Sequence, residues 1–255
     1  MTSNLTILFL IAHFLADYYL QPQMMSETKT KRYAGVLLHS LIYMASFGLI
    51  CILQNDLVLP IGMVVLSHFL IDSSKYLIEK CIGNKGERIL YVADQFLHLA
   101  IIVVAAGSAR ALSTASLITT IPRPYLQWVL LLIVIMKPVN VTFKKMSAKY
   151  QPTSPERIVA TGHSPQTSDG LPSTGAEAEP VDGAGAIIGN LERIIAAVFI
   201  CSNQYAAMGL IFTAKSIARY NKIAEDQAFA EYYLIGSLFS VLSVMVCYWI
   251  VFSVL

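Results

Sequence analysis

The sequence predicts an all-α protein, a polytopic bundle of about seven transmembrane helices. Three observations carry this expectation. The 255 residues are 56% hydrophobic and 13% charged, with a mean hydropathy of +0.61, far from the composition of a water-soluble domain. The apolar residues fall into runs close to the ~20 residues that one helical crossing of a bilayer needs. Basic residues gather in alternate connections between those runs, as the charge rule for membrane topology requires.

On the length rule, helices are expected near 4–21, 34–54, 57–78, 88–109, 125–146, 187–212 and 231–254. The first run opens with MTSN and ends in DYYLQPQ, without the basic start and small-residue cleavage site of a signal peptide, so it is expected to stay in the membrane. QPQMMSETKTKR, a tight QND, a charged EKCIGNKGER and an IPRP turn separate the next four runs. Residues 147–184 repeat Pro, Ser, Thr, Gly and Ala and leave almost nothing to bury, which reads as a flexible polar linker. The expected organisation is a five-helix block over 1–146, that linker, and a two-helix block over 185–255.

Orientation follows from the short connections. Lys29, Lys31 and Arg32 follow the first run; Lys75, Lys80, Lys85 and Arg88 flank the third connection; Lys144, Lys145 and Lys149 follow the fifth run. The connections on the opposite side carry Asp56 in one case and Arg110 and Arg123 in the other. The basic loops and the linker are therefore expected in the cytoplasm, with the N-terminus outside. Continuing the count puts Lys215, Arg219 and Lys222 outside, against the rule, so the sixth element is expected to be tilted or partly buried.

The net charge of +2 is small and its basic residues scattered, which argues against nucleic-acid binding. Cys51, Cys81, Cys201 and Cys247 form no C-x-x-C pair and read as packing residues. Oligomeric state is not legible.

The informative residues are ionisable groups inside the apolar runs, where such groups are costly and usually face a protein interior. His13 and Asp17, His68 and Asp72, and Asp94 and His98 each stand four residues apart, on one helical face; His39 stands alone in the second run. At about 1.5 Å rise per residue, all seven lie one to three turns from the cytoplasmic connections. The order His-x3-Asp inverts to Asp-x3-His in the returning fourth run, as an antiparallel bundle requires if histidines are to lie level with histidines. Gln21 lies one further turn along from Asp17.

Neutral imidazole and carboxylate suit a divalent ion such as zinc, manganese or iron. Seven groups exceed the needs of one tetrahedral ion, so either two ions share carboxylates or some groups orient the others. The same residues also fit a proton or metal-ion pathway, as in a transporter, or a hydrogen-bonded network that only holds helices together.

HFLADYYLQ, LLHSLIY, SHFLIDSSK and ADQFLHL, followed by KPVN, NLERIIA, AKSIAR and EYYLIGSLFS, resemble the bacterial membrane family called domain of unknown function 3307. The likeness runs over nearly all the chain except the linker and implies a bacterial inner-membrane protein without an assigned activity. The His-x3-Asp helices are also similar to those of predicted membrane-bound metal-dependent hydrolases.

A second set comprises Glu192, Arg193, Lys215, Arg219 and Glu231 at the margins of the last two runs. Lys215 and Arg219, one turn apart, can bind an anionic substrate. Alternatively, Glu231 pairs with one of them and Glu192 caps a helix start. Lys137, before Pro138 inside the fifth run, needs a carboxylate partner such as Asp94 or must snorkel. Gly185 and Gly189 suggest close helix packing, and the aromatics at 18–19, 232–233 and 248–249 suggest interfacial anchors.

Together these readings predict a metal-dependent hydrolase acting on a phosphate ester or lipid headgroup at the cytoplasmic face, with Asp72 or Asp94 as general base. The alternatives are a transporter and a membrane scaffold or regulator.

Overall fold

The computed structural model describes residues 4–21, 32–82, 86–109, 121–150 and 184–255. Lys29, Lys31, Lys85, Arg110, His163 and most of the expected linker lie outside them. Every described element is helical. Helix α1 (Asn4–Phe14) continues into a π-helical turn at Leu15–Tyr19, and α2 spans Tyr33–Leu53. A 3-10 turn, Asn55–Leu57, leads into α3 (Val58–Ile82); α4 covers Glu87–Ala109, and α5 covers Arg123–Ser147. Then come α6 (Ala184–Cys201), α7 (Tyr205–Ala218), the short α8 (Tyr220–Glu225) and α9 (Gln227–Trp249), which ends in a second π turn at Ile250–Val254.

The described residues form two compact units, 1–146 with 242–255, and 147–241. In the first, α1 packs on α2, α2 on α3, α3 on α4 and α4 on α1, so four antiparallel neighbours close into a ring. Leu37, Leu41, Leu49 and Ile52 of α2, Leu59, Met63 and Leu66 of α3, and Phe96 and Val104 of α4 face outward. His13, His39, His68, Asp72, Asp94 and His98 are buried inside. A water-soluble bundle has the opposite distribution. Among the described residues five helical stretches, Tyr33–Leu53, Asn55–Cys81, Glu87–Ala109, Arg123–Tyr150 and Gln227–Val254, are long and apolar enough to cross a bilayer; Asn4–Tyr19 and Tyr205–Ala218 are shorter apolar helices. This is a multi-pass membrane protein.

Helix α5, also in the first unit, is tied by side chains to the π turn that follows α1. Pro138 lacks the N–H that would bond the Val134 carbonyl, and its ring forces the preceding turn apart. The Tyr19 hydroxyl enters that opening, donating to the Ile133 carbonyl at 2.9 Å and accepting the Lys137 N–H at 3.3 Å. Side-chain insertion is one of the recognised causes of a break in the helical ladder. The π turn that ends the chain is held similarly, with Gln127 Nε2 donating to the Val251 carbonyl at 2.7 Å.

In the second unit, the single helix expected over 187–212 is two. Asn203 adopts φ 56°, and Gln204 N–H bonds Phe199 O at 2.8 Å while Asn203 N–H bonds Ile200 O at 3.1 Å. That is a Schellman ending with asparagine in the left-handed position, so α6 stops and α7 begins anew. Helix α9 starts at Gln227, earlier than 231, because the Asp226 carboxylate caps the Phe229 N–H at 3.0 Å.

Two expectations are corrected by this packing. Cys81 and Cys201 are exposed, so they are not buried packing residues. Among the described residues nothing lies within 4 Å of where a Gly185 side chain would stand, and the nearest atoms beside Gly189 belong to Arg193 of the same helix, so the nearest neighbours of this pair are not those of a close helix crossing.

Candidate metal centre

Each of the four ring helices brings part of the layer inward. The π turn widens α1 at Leu15–Tyr19, with Leu20 N–H reaching back five residues to Leu15 O at 2.8 Å. Such turns concentrate at functional sites. Here the turn carries Asp17, whose Oδ1 accepts from His39 Nε2 at 3.1 Å and His68 Nε2 at 3.0 Å.

The remaining imidazole–carboxylate pairs are longer. His39 Nε2 lies 3.6 Å from Asp72 Oδ2, His68 Nδ1 lies 3.7 Å from Asp72 Oδ2, and His98 Nε2 lies 3.7 Å from Asp72 Oδ1. His98 Nε2 is 3.4 Å from Asp94 Oδ1, and His13 Nε2 is 3.9 Å from Asp17 Oδ2. His13 Nε2, His39 Nδ1, His68 Nδ1 and His98 Nε2 are fully buried and make no hydrogen bond among the described residues. An unsatisfied buried polar atom costs about 1–3 kcal/mol. Three groupings, His13/Asp17/His68, His39/His68/Asp72 and Asp72/Asp94/His98, each place their ligand atoms within 4.8 Å of one another.

Neighbours fix the rings. Tyr43 stacks on His68 at 3.6 Å between centroids, and His68 stacks on His98 at 4.3 Å. The Tyr43 hydroxyl meets His13 Nδ1 at 3.1 Å, which leaves Nε2 turned to the cluster. This is the arrangement in which a polar partner orients a ligating histidine from behind.

Asp94 is held on its outer side. Lys75 Nζ donates to Asp94 Oδ2 at 2.9 Å and Gln95 Nε2 donates to the same oxygen at 3.2 Å, so Oδ1 is left to the cluster. Tyr18 donates to Gln95 Oε1 at 3.0 Å and meets Tyr91 at 2.9 Å, and Tyr91 meets Thr142 of α5 at 2.9 Å. Because the Gln95 amide donates to Asp94 and the Tyr18 hydroxyl donates to the amide oxygen, Tyr18 must accept from Tyr91, and Tyr91 from Thr142. Every hydroxyl in the chain then points its proton toward Asp94.

All seven residues of the predicted layer therefore meet. The sequence reading missed Lys75, counted only as a loop cation, together with Tyr43, Gln95, Tyr18 and Tyr91. Lys137 is not the partner of Asp94; its ammonium lies over the Tyr19 ring, 5.5 Å from the centroid. Gln21 is half-buried beyond the helix end.

The second set separates. Lys215 donates to Glu192 at 2.7 Å and lies 3.4 Å from Ser237 Oγ, so its partner is Glu192 and not Glu231. Glu192 sits in the middle of α6, away from the start it was expected to cap. Glu231 accepts from Gln227 at 3.1 Å, and Arg219 is exposed at the break between α7 and α8.

A ring of membrane helices enclosing histidines and aspartates defines the class: a multi-pass membrane protein with a candidate metal centre. Residues 5–127 match a family described as "Protein of unknown function (DUF3307)". The matched stretch carries α1 to α4 and the whole layer, whereas KPVN, NLERIIA, AKSIAR and EYYLIGSLFS lie beyond it. No curated protein and no solved structure matches the chain.

Proposed function

We propose that the His/Asp layer binds a divalent metal ion and that the protein uses it to hydrolyse an anionic ester, a phosphate ester of the lipid-headgroup kind, at the cytoplasmic face of a bacterial inner membrane. The observation that carries the metal reading is the set of five imidazole–carboxylate separations of 3.4–3.9 Å. They exceed good hydrogen-bond lengths. They lie close to the spacing between neighbouring ligands of one ion, since bonds of about 2.0–2.2 Å give tetrahedral edges of about 3.3–3.6 Å. A network built only to join helices has no reason to leave buried ring nitrogens without partners.

A bound divalent ion makes water nucleophilic at neutral pH and stabilises the charge that develops on the ester oxygens. The chain's own groups supply the rest. Lys75 and Asp17 have side chains 21% and 10% exposed, while the histidines and Asp72 are at 2% or below, so the accessible edge lies at the Lys75 and Asp17 end. An ammonium there attracts an anionic headgroup. Of the two carboxylates proposed as base, Asp94 is the better placed, since it adjoins that edge and its Oδ1 faces inward. It takes the proton of the attacking water as water adds across the phosphoester bond, giving an alcohol and a phosphate.

The test is phosphate release from anionic phospholipid vesicles containing purified protein, with and without added Zn²⁺ or Mn²⁺. Metal-dependent release that falls at least 100-fold in Asp94→Asn supports the reading. Metal binding without turnover, accompanied by metal flux across the vesicle, overturns hydrolysis in favour of transport.

A further inference from the structure

The geometry points to a two-ion centre in which the Asp72 carboxylate is the bridge, one ion lying on the His98 side and the other between His39 and His68. This rests on the metal reading above and deepens it.

The two oxygens of Asp72 face different partners. Oδ1 lies 3.7 Å from His98 Nε2. Oδ2 lies 3.6 Å from His39 Nε2 and 3.7 Å from His68 Nδ1. Each oxygen thus stands at ligand spacing from a different imidazole set. Asp94 Oδ1, 3.4 Å from His98 Nε2, borders the first side as the base for a water held there and is not counted among the bridge's ligands. Asp17 Oδ1, hydrogen-bonded to His39 Nε2 at 3.1 Å and to His68 Nε2 at 3.0 Å, holds the two rings of the second side in place. Two of the three-residue groupings that can hold an ion share Asp72 and no other residue. A carboxylate whose two oxygens each bind one ion holds the pair at about 3.5–4 Å, the separation at which two ions clamp a transferring phosphoryl group.

Charge points the same way. Three carboxylates share these imidazoles inside a low-dielectric bundle, and Lys75 is an ammonium held against one of them, Asp94. Asp17 and Asp72 lie within ion-pair distance of imidazoles. Buried charge of this kind calls for compensating cations.

The test uses full-length protein in detergent, stripped of metal and titrated with Mn²⁺ alone. Wild type is expected to bind two ions per chain and to show the electron paramagnetic resonance spectrum of an exchange-coupled pair. His98→Ala and His39→Ala are each expected to keep one ion and to show an uncoupled spectrum. One ion per chain in wild type, lost alike in both variants, overturns the bridge while leaving the metal reading intact; two ions without coupling also overturn it. No bound ion in wild type overturns both. The wild-type spectrum decides the question even where a variant fails to fold.

Discussion

Replacing Lys75 with methionine keeps most of the side-chain volume and removes the ammonium 2.9 Å from Asp94. Asp94 is 5% exposed and would keep only the longer Gln95 bond on that oxygen. Removing one partner of a fully buried pair costs about 3–5 kcal/mol. Lys75 is 21% exposed, so water recovers part of that loss. We expect about 2–3 kcal/mol of destabilisation in metal-free protein, after allowing for that screening. A cation at the cluster also compensates the Asp94 charge, so metal-loaded protein should lose about half as much or less. Asp94→Asn added to Lys75→Met removes the stranded charge and should recover most of the loss in the metal-free state. Reversible unfolding in mixed detergent micelles, with chelator and with saturating Mn²⁺, measures all four species. Equal losses with and without metal would refute the link between Lys75 and a cation site. A double variant no better than Lys75→Met would refute the stranded charge.

Three further outcomes follow from the packing. Tyr43→Phe removes the hydroxyl behind His13 Nδ1 while preserving the ring stacked on His68, so metal affinity measured by competition with a chromophoric chelator should fall about 10–100-fold with little change in fold. Tyr19→Phe removes two hydrogen bonds at the opened turn of α5 and should cost about 1–3 kcal/mol in unfolding measurements, but much less in a Pro138→Ala background where the helix closes its own ladder. Glu192→Gln leaves Lys215 without its carboxylate yet lies outside the His/Asp layer, so it should lower stability while metal content, measured by elemental analysis, stays at the wild-type level.

The layer was legible because its residues are costly in lipid and because an antiparallel bundle turns His-x3-Asp into Asp-x3-His. Those constraints act on spacing, which a sequence displays. Lys75 was missed for a different reason. Ending the third helix at 78 on hydropathy made Lys75 a flank, whereas α3 runs to Ile82 and places Lys75 three residues past Asp72 on nearly the same face. Tyr18 and Tyr19 looked like anchors at a membrane interface. The π turn instead sends one toward Tyr91 and Gln95 of α4 and the other into α5, and a five-residue backbone repeat leaves no mark in an apolar pattern. At Asn203 the signal was present: asparagine accepts the left-handed conformation that ends a helix, and the surrounding apolar run concealed it.

The central claim is that these imidazoles and carboxylates bind metal. X-ray absorption at the metal edge, on full-length protein purified without chelator and reloaded with Zn²⁺, tests it most directly. Imidazole nitrogen and carboxylate oxygen scatterers at about 2.0–2.2 Å, lost in His68→Ala, are the expected result. A spectrum of hydrated zinc, or one unchanged by that substitution, would contradict the account.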